Sequence, residues 1–159
     1  MLKEELILLD MECKSREEVL ITLSNLLYKS GAVKNTFQEA VLKREVIYPT
    51  GLPADAFDIA IPHTDGEHTI FPAMAVGVLK EPVVFQQMGS PEIELKPRLV
   101  MMLAINDPKT QLGTLMKIMD VIQNEDKLKK IICNYVDACP DDISDNMSLN
   151  AEIGLPLHH

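Results

Sequence analysis

"RLVMMLAI", residues 98–105, is the stretch that decides the fold. All of its residues except the first are apolar. An uninterrupted apolar run of this length is typical of a strand that is buried on both faces, because a half-exposed strand would alternate apolar and polar side chains. Both faces of such a strand must be covered, and alternating helices and strands provide the cover. The stretch therefore predicts a strand of an α/β sandwich that is covered on both faces.

Shorter apolar runs elsewhere indicate further strands of the same sheet. Each run is short and is bounded by polar residues, Pro or Gly, as is usual for strands. The predicted strands are 5–11, 58–62, 73–79 and 83–85.

Two helices are predicted between the first and second of these strands. Capping boxes occur at residues 15–18 (S-x-x-E) and 36–39 (T-x-x-E), where each terminal residue can satisfy an amide at the helix start. Gly31 supplies a stop for the first helix, and Pro49 closes the second. The connection at 48–58 carries two prolines and a glycine, so it is predicted to be a loop of restricted shape.

The remaining sequence completes one domain. A long helix is predicted from Thr110 and a shorter one at about 125–133. Residues 1–139 are therefore predicted to form a single α/β domain with a mixed, mostly parallel β-sheet and helices on both faces. Residues 140–159 are polar and lack periodicity, which indicates a C-terminal tail.

Composition excludes several classes of function. The 159 residues carry a net charge of −9, with scattered basic residues, which disfavours nucleic-acid binding. There is no leader-like start and no apolar run long enough to cross a bilayer, so we expect a cytoplasmic protein without direct membrane insertion. The three cysteines show no C-x-x-C spacing, which argues against a disulfide framework or a zinc site. Nucleotide-binding glycine motifs are absent, and no cofactor is indicated.

His63 is the candidate nucleophile. In "AIPHTD", residues 60–65, it ends an apolar run directly after a proline. An imidazole is largely neutral near pH 7 and is an established covalent catalyst. Arg44, at the end of the second helix, could pair with a phosphoryl group on His63, since its planar fork matches phosphate oxygens. The alternative for Arg44 is a cation that complements the helix dipole.

Four further residues surround this pair in the sequence. The hydroxyl of Thr50 and backbone amides around Gly51 are available donors to phosphoryl oxygens. Asp65 would repel phosphate, so we expect it to point away or to orient a ring nitrogen or a neighbouring loop; a plain turn residue is the alternative. His68 is expected to be an exposed loop histidine, with a partner contact as the alternative.

These motifs together resemble a known family. "KREVIYPTG", "DIAIPHTDGEH" and "LVMMLAINDPKTQLGTLMKIMDVIQNEDKL" are similar to the enzyme IIA component of the bacterial phosphoenolpyruvate-dependent sugar phosphotransferase system. The similarity is to the mannitol/fructose type and, within it, to the galactitol-like branch. It covers roughly residues 5–137.

The resemblance implies a phosphocarrier. His63 would take a phosphoryl group from the phosphohistidine of HPr and pass it to a cysteine of enzyme IIB, coupled to uptake through the membrane enzyme IIC. Arg44 would lie beside His63. Mannitol-type members have a second histidine where this chain has Gln111, whose amide can hydrogen-bond but cannot carry positive charge. This departure is consistent with the galactitol-like branch.

Two other functions remain open from the sequence. A phosphorylation-sensing regulatory module would share the same fold and site. A metal-dependent hydrolase could use His63, Asp65 and His68 as ligands. The turn at Gly66 disfavours the hydrolase, because it gives no helical i, i+4 presentation, and no distant His or Cys cluster completes a metal site.

Overall fold

Seven strands and three helices make up the part of the chain described by the computed structural model, residues 2–54, 57–122 and 124. The strands are β1 (Leu2–Met11), β2 (Gly51–Leu52), β3 (Ile59–Ala60), β4 (Ala73–Leu79), β5 (Phe85–Gln87), β6 (Ser90–Leu95) and β7 (Leu99–Ala104). The helices are α1 (Arg16–Lys29), α2 (Phe37–Ile47) and α3 (Pro108–Ile122), and a single 3₁₀ turn spans Gly66–His68.

β7 is an interior strand of the sheet, covered on both faces as the apolar stretch predicts. All its residues are buried, and so are all residues of its antiparallel neighbour β4. Successive side chains of a strand point to opposite faces, so β7 contributes to two separate cores. Leu99, Met101 and Leu103 belong to one core, and Val100, Met102 and Ala104 belong to the other.

Helices cover both faces of the sheet. Buried side chains of α1 and α2, among them Leu23 and Val41, share a core with Val100. On the opposite face, Leu115 of α3 packs against the core that contains Met101. The predicted α/β sandwich is therefore confirmed.

The sheet is mixed, in the order β1-β4-β7-β3-β2-β5-β6. Among the described strands, β1–β4, β2–β5 and β3–β7 pair in parallel, whereas β2–β3, β4–β7 and β5–β6 pair antiparallel. The expected predominance of parallel pairs is thus not observed. The additional antiparallel pairs come from β2, inside the predicted loop, and from β6, an exposed edge strand with little apolar signal.

The two predicted capping boxes differ in outcome. The side chain of Ser15 accepts a hydrogen bond from the amide of Glu18, as predicted. Thr36 makes no capping bond, because its hydroxyl lies 2.8 Å from Nδ1 of His68 instead. The helix predicted at about 125–133 and the tail at 140–159 lie outside the described residues.

None of the helices within residues 2–54, 57–122 and 124 combines the length and apolarity that a bilayer crossing requires.

Gly51 permits the close approach of β2 and β5. A Cβ atom at this position would lie 2.5 Å from the backbone oxygen of Gln86. We therefore expect Gly51→Ala to lower the free energy of unfolding by about 1–3 kcal/mol, measured by urea denaturation. Gly113→Ala in α3 is the control, since its added Cβ meets nothing within 4 Å and should be neutral or slightly stabilising. Wild-type stability of Gly51→Ala would contradict the steric explanation.

Candidate functional site

The site lies at the carboxyl ends of two central parallel strands. His63 follows β3, and α3 follows β7; because β3 and β7 run in parallel, both connections leave from the same edge of the sheet. The amide of Leu103 donates to the carbonyl oxygen of Pro62 at 3.0 Å and anchors the segment that carries His63. Open α/β sheets commonly bind ligands at such an edge.

The imidazole of His63 is held in one orientation. Its Nδ1–H donates to the carbonyl oxygen of Ile61 at 2.8 Å. A carbonyl only accepts, so the proton is on Nδ1 and Nε2 carries the lone pair. His63 is 7% exposed. In the described part of the chain, two buried side-chain atoms lack a hydrogen-bond partner, Nε of Arg44 and Oγ1 of Thr69. Nε2 of His63 is not among them, so it retains some solvent-accessible surface.

The environment of His63 favours the neutral ring. Burial lowers the pKa of His63 from its ordinary value, because desolvation disfavours the imidazolium. The hydrogen bond to Ile61 raises this pKa, the charge of Arg44 lowers it, and that of Asp65 raises it, but the net direction is downward. A neutral imidazole with a free Nε2 is the form that can act as a nucleophile.

Arg44 brings a positive charge to the same place. Its guanidinium lies 5.2 Å from the ring centroid of Tyr48, and its Nη1 lies 3.8 Å from Oδ1 of Asp65. Its Nε is buried and has no partner in the described part of the chain. The cation is therefore supported by an aromatic face and by a long ion pair, yet it retains an unused donor. Asp65 is mostly exposed and is directed toward Arg44, a neighbour the sequence did not specify.

The amide and hydroxyl of Thr50 point to Glu45, contrary to their expected role as donors to a phosphoryl group. Both its amide (2.9 Å) and its hydroxyl (3.1 and 2.9 Å) donate to the carboxyl group of Glu45. Neither group is free to donate toward His63 in this arrangement. Gly51, the residue after Thr50, is the first residue of β2, and β2 pairs with both β3 and β5.

Gln111 and His68 have separate partners. Nε2 of Gln111 donates to the carbonyl oxygen of Thr64 at 3.1 Å, so it holds the backbone immediately after His63. The side chain of His68 is only 20% exposed, and its ring contacts Thr36 and Glu67 rather than His63. His68 thus ties the 3₁₀ turn to the start of α2.

Glu45 is the residue that the sequence analysis missed. It is 1% exposed, and burial raises its pKa to about 7 despite the hydrogen bonds from Thr50. A signal was present in the sequence. Phe37, Val41 and Glu45 are spaced by four residues and are the buried positions of α2, so a carboxyl group occupies the place of an apolar side chain.

The three candidate metal ligands of the alternative hydrolase do not come together. In the residues that the structure describes, no group of three His, Cys, Asp or Glu side chains is arranged to hold a metal ion. His63, Asp65 and His68 therefore do not form a ligand cluster there.

Comparison with known proteins identifies the family. The family model described as "Phosphoenolpyruvate-dependent sugar phosphotransferase system, EIIA 2" matches residues 1–139. The chain belongs to this enzyme IIA family. The resemblance stated from the sequence is therefore confirmed, and the protein is a phosphocarrier with a phosphotransferase function, as enzyme IIA components are.

Individual relatives agree with this assignment. The galactitol-specific EIIA component of Escherichia coli strain K12 is 30% identical over 117 residues, covering 74% of this chain and 77% of the relative. The crystal structure of the mannitol IIA of Escherichia coli has a TM-score of 0.70 at 20% identity, covering 96% of this chain and 99% of that one. The same IIA in complex with phosphorylated IIB gives a TM-score of 0.69 at 19% identity, with coverages of 97% and 99%.

The raised pKa of Glu45 predicts a pH-dependent stability. Between its ordinary pKa of 4.5 and about 7, folded enzyme IIA holds a proton that the unfolded chain has lost. The stabilisation that this bound proton gives the folded state is complete below pH 4.5 and is lost as the pH rises through 7. Glu45→Gln lacks the titration, so its stability relative to wild type should increase by about 3 kcal/mol between acidic and mildly basic pH.

Urea unfolding at both pH values measures this difference. Glu39→Gln is the matched control on α2, because Lys43 lowers the pKa of the exposed Glu39 rather than raising it. A pH-independent difference between Glu45→Gln and wild type would contradict the buried titration.

Proposed function

We propose that His63 accepts a phosphoryl group from phospho-HPr and passes it to a cysteine of an enzyme IIB partner, in the cytoplasm, during uptake of a galactitol-like sugar alcohol by a membrane enzyme IIC. The observation that carries the proposal is the hydrogen bond from Nδ1 of His63 to the carbonyl of Ile61, which leaves Nε2 as the nucleophile. The substrate class is supported by the galactitol-specific relative.

The chemistry follows from this geometry. The lone pair on Nε2 of His63 attacks the phosphorus, the P–N bond to the HPr imidazole breaks, and its electron pair remains on HPr. In the second transfer a cysteine thiolate of enzyme IIB attacks the same phosphorus, and the electron pair returns to Nε2. Because phosphoryl transfer needs little covalent work from the protein, positioning and charge stabilisation provide most of the acceleration.

Arg44 supplies the charge stabilisation. The partly exposed guanidinium of Arg44 can donate charge-assisted bonds to the phosphoryl oxygens. The ion pair with Asp65, at 3.8 Å, is long and exposed, so a phosphoryl dianion can replace it at low cost. Gln111 contributes by holding the backbone at Thr64.

An apolar rim suits protein partners. Large apolar side chains that are more than one-third exposed occur at the end of α2, after the 3₁₀ turn and on α3. Tyr48 lies against Arg44, so this part of the rim adjoins the site. Exposed apolar groups around a reactive side chain are typical of a docking surface for another protein. The rim residues are Val46, Ile47, Tyr48, Ile70, Phe71, Leu112 and Met116.

Replacement of His63 tests the acceptor. With labelled phosphoenolpyruvate and the general phosphotransferase proteins, wild-type chain should acquire an acid-labile, base-stable label, and His63→Ala should acquire none. His68→Ala should keep most of the label, since its ring contacts Thr36 instead. Label on His63→Ala would show a different acceptor. Label on wild type that no enzyme IIB removes would favour the regulatory module.

Replacement of Arg44 tests the charge stabilisation. Arg44→Ala should slow transfer in both directions by about 10²-fold, because the phosphoryl oxygens lose their cationic donor. Arg44→Lys should recover part of the rate, since it restores the charge without the planar fork. Lys43→Ala, which removes an exposed cation paired with Glu39, is the control and should transfer at the wild-type rate. Equal rates for Arg44→Ala and wild type would reduce Arg44 to a helix-end residue.

A further inference from the structure

Glu45 is a buried carboxyl group that the transfer steps above do not use. It lies in the last turn of α2, one residue after Arg44, and 1% of its surface is exposed. A buried carboxyl group needs hydrogen-bond partners to offset its desolvation. Glu45 finds them in the amide and hydroxyl of Thr50.

A continuous series of hydrogen bonds connects Glu45 to the reactive ring. Oε1 of Glu45 accepts from the amide of Thr50 at 2.9 Å. The carbonyl of Thr50 accepts from the amide of Ile61 at 3.2 Å, and the carbonyl of Ile61 accepts from Nδ1 of His63 at 2.8 Å. The carbonyl that holds the imidazole is therefore linked, through the backbones of Thr50 and Ile61, to a side chain on α2.

The charged groups around Glu45 come from two helices. Arg16 of α1 and Arg44 of α2 both act on its carboxyl group electrostatically, and Arg16 is itself held by a hydrogen bond from Nη1 to Oε1 of Gln86. Glu45 thus occupies a place where the start of α1, the end of α2 and the β2–β3 segment meet. A change there alters the relative position of Arg44 and His63 without touching the surface of the site.

We propose that Glu45 is a positioning residue for phosphoryl transfer: through Thr50 and Ile61 it fixes the orientation and tautomer of the His63 ring. The proposal rests on the role of His63 as phosphoryl acceptor. Glu45 makes no contact with the incoming phosphoryl group; it acts on the geometry of the nucleophile, where a displacement of about 1 Å is enough to slow a reaction by about a hundredfold.

Two substitutions separate hydrogen bonding from packing. Glu45→Leu fills the buried position with an apolar side chain but removes both acceptor oxygens. Glu45→Gln keeps an amide oxygen that can accept from the Thr50 amide. Glu39→Leu, an exposed position on the same helix, is the control. Circular dichroism and thermal melts establish that each protein is folded.

The first readout is the tautomer of His63, observed by nitrogen NMR of the imidazole. Wild type, Glu45→Gln and Glu39→Leu should carry the proton on Nδ1. Glu45→Leu should show both tautomers, because the Ile61 carbonyl loses its support from α2. A merely structural role would lower the melting temperature and leave the tautomer unchanged.

The second readout is transfer from phospho-HPr. Glu45→Leu should lower kcat by at least about tenfold with KM unchanged, because the docking surface is intact, whereas Glu45→Gln should restore most of the rate. Should Glu45→Leu fail to fold, Thr50→Val, which removes only the hydroxyl, should give a smaller shift in the same two readouts.

Two outcomes are distinguishable. If the folded variants that lose hydrogen bonds to the Glu45 carboxyl group retain the wild-type tautomer and kcat, the positioning role is overturned. If wild-type chain accepts no phosphoryl group from phospho-HPr, the proposed function fails, and the NMR comparison still decides whether Glu45 orients the ring.

Discussion

The hydrogen bond between Nδ1 of His63 and the carbonyl of Ile61 is the interaction on which the chemistry depends. A histidine has two ring nitrogens, and only the deprotonated one can attack. A backbone carbonyl two residues earlier assigns the proton to Nδ1, while burial keeps the ring neutral. The chain that follows β3 thereby leaves the lone pair on Nε2 of His63, the proposed nucleophile.

The charge balance of the site suits a transient phosphoryl group. The protein is acidic overall, with a net charge of −9, yet the positive charge of Arg44 acts on the imidazole of His63. In the free protein Arg44 is shared between the ring of Tyr48 and the exposed carboxylate of Asp65, two partners of modest strength. Weak partners leave the cation available for the phosphoryl group of the proposed transfer. A buried, tightly bonded partner would compete with the phosphoryl group and slow the reaction.

The site combines buried strands with the connections that leave them. The buried strands β4 and β7 give a rigid platform, because side chains on both of their faces are packed in cores. The reactive groups lie on the connections that leave this platform, and each connection is tied back to it: Pro62 accepts from Leu103, and Thr64 accepts from Gln111. A phosphocarrier that must present one ring to two successive partners benefits from this arrangement, since accessible groups on a rigid support need little reordering at each encounter.

The sequence by itself determined the elements with strong local signals: the doubly buried β7, the helices around a Ser15 cap and before Pro49, the family resemblance and the candidate pair His63 and Arg44. Apolar periodicity and capping are local properties, so they can be read from neighbouring residues. Tertiary structure alone decided that Thr50 donates to Glu45, that His68 binds Thr36, and that β6 forms one edge of the sheet. These outcomes depend on which polar groups meet once distant segments pack, and a hydroxyl, an amide or an imidazole carries no mark of its partner in the sequence.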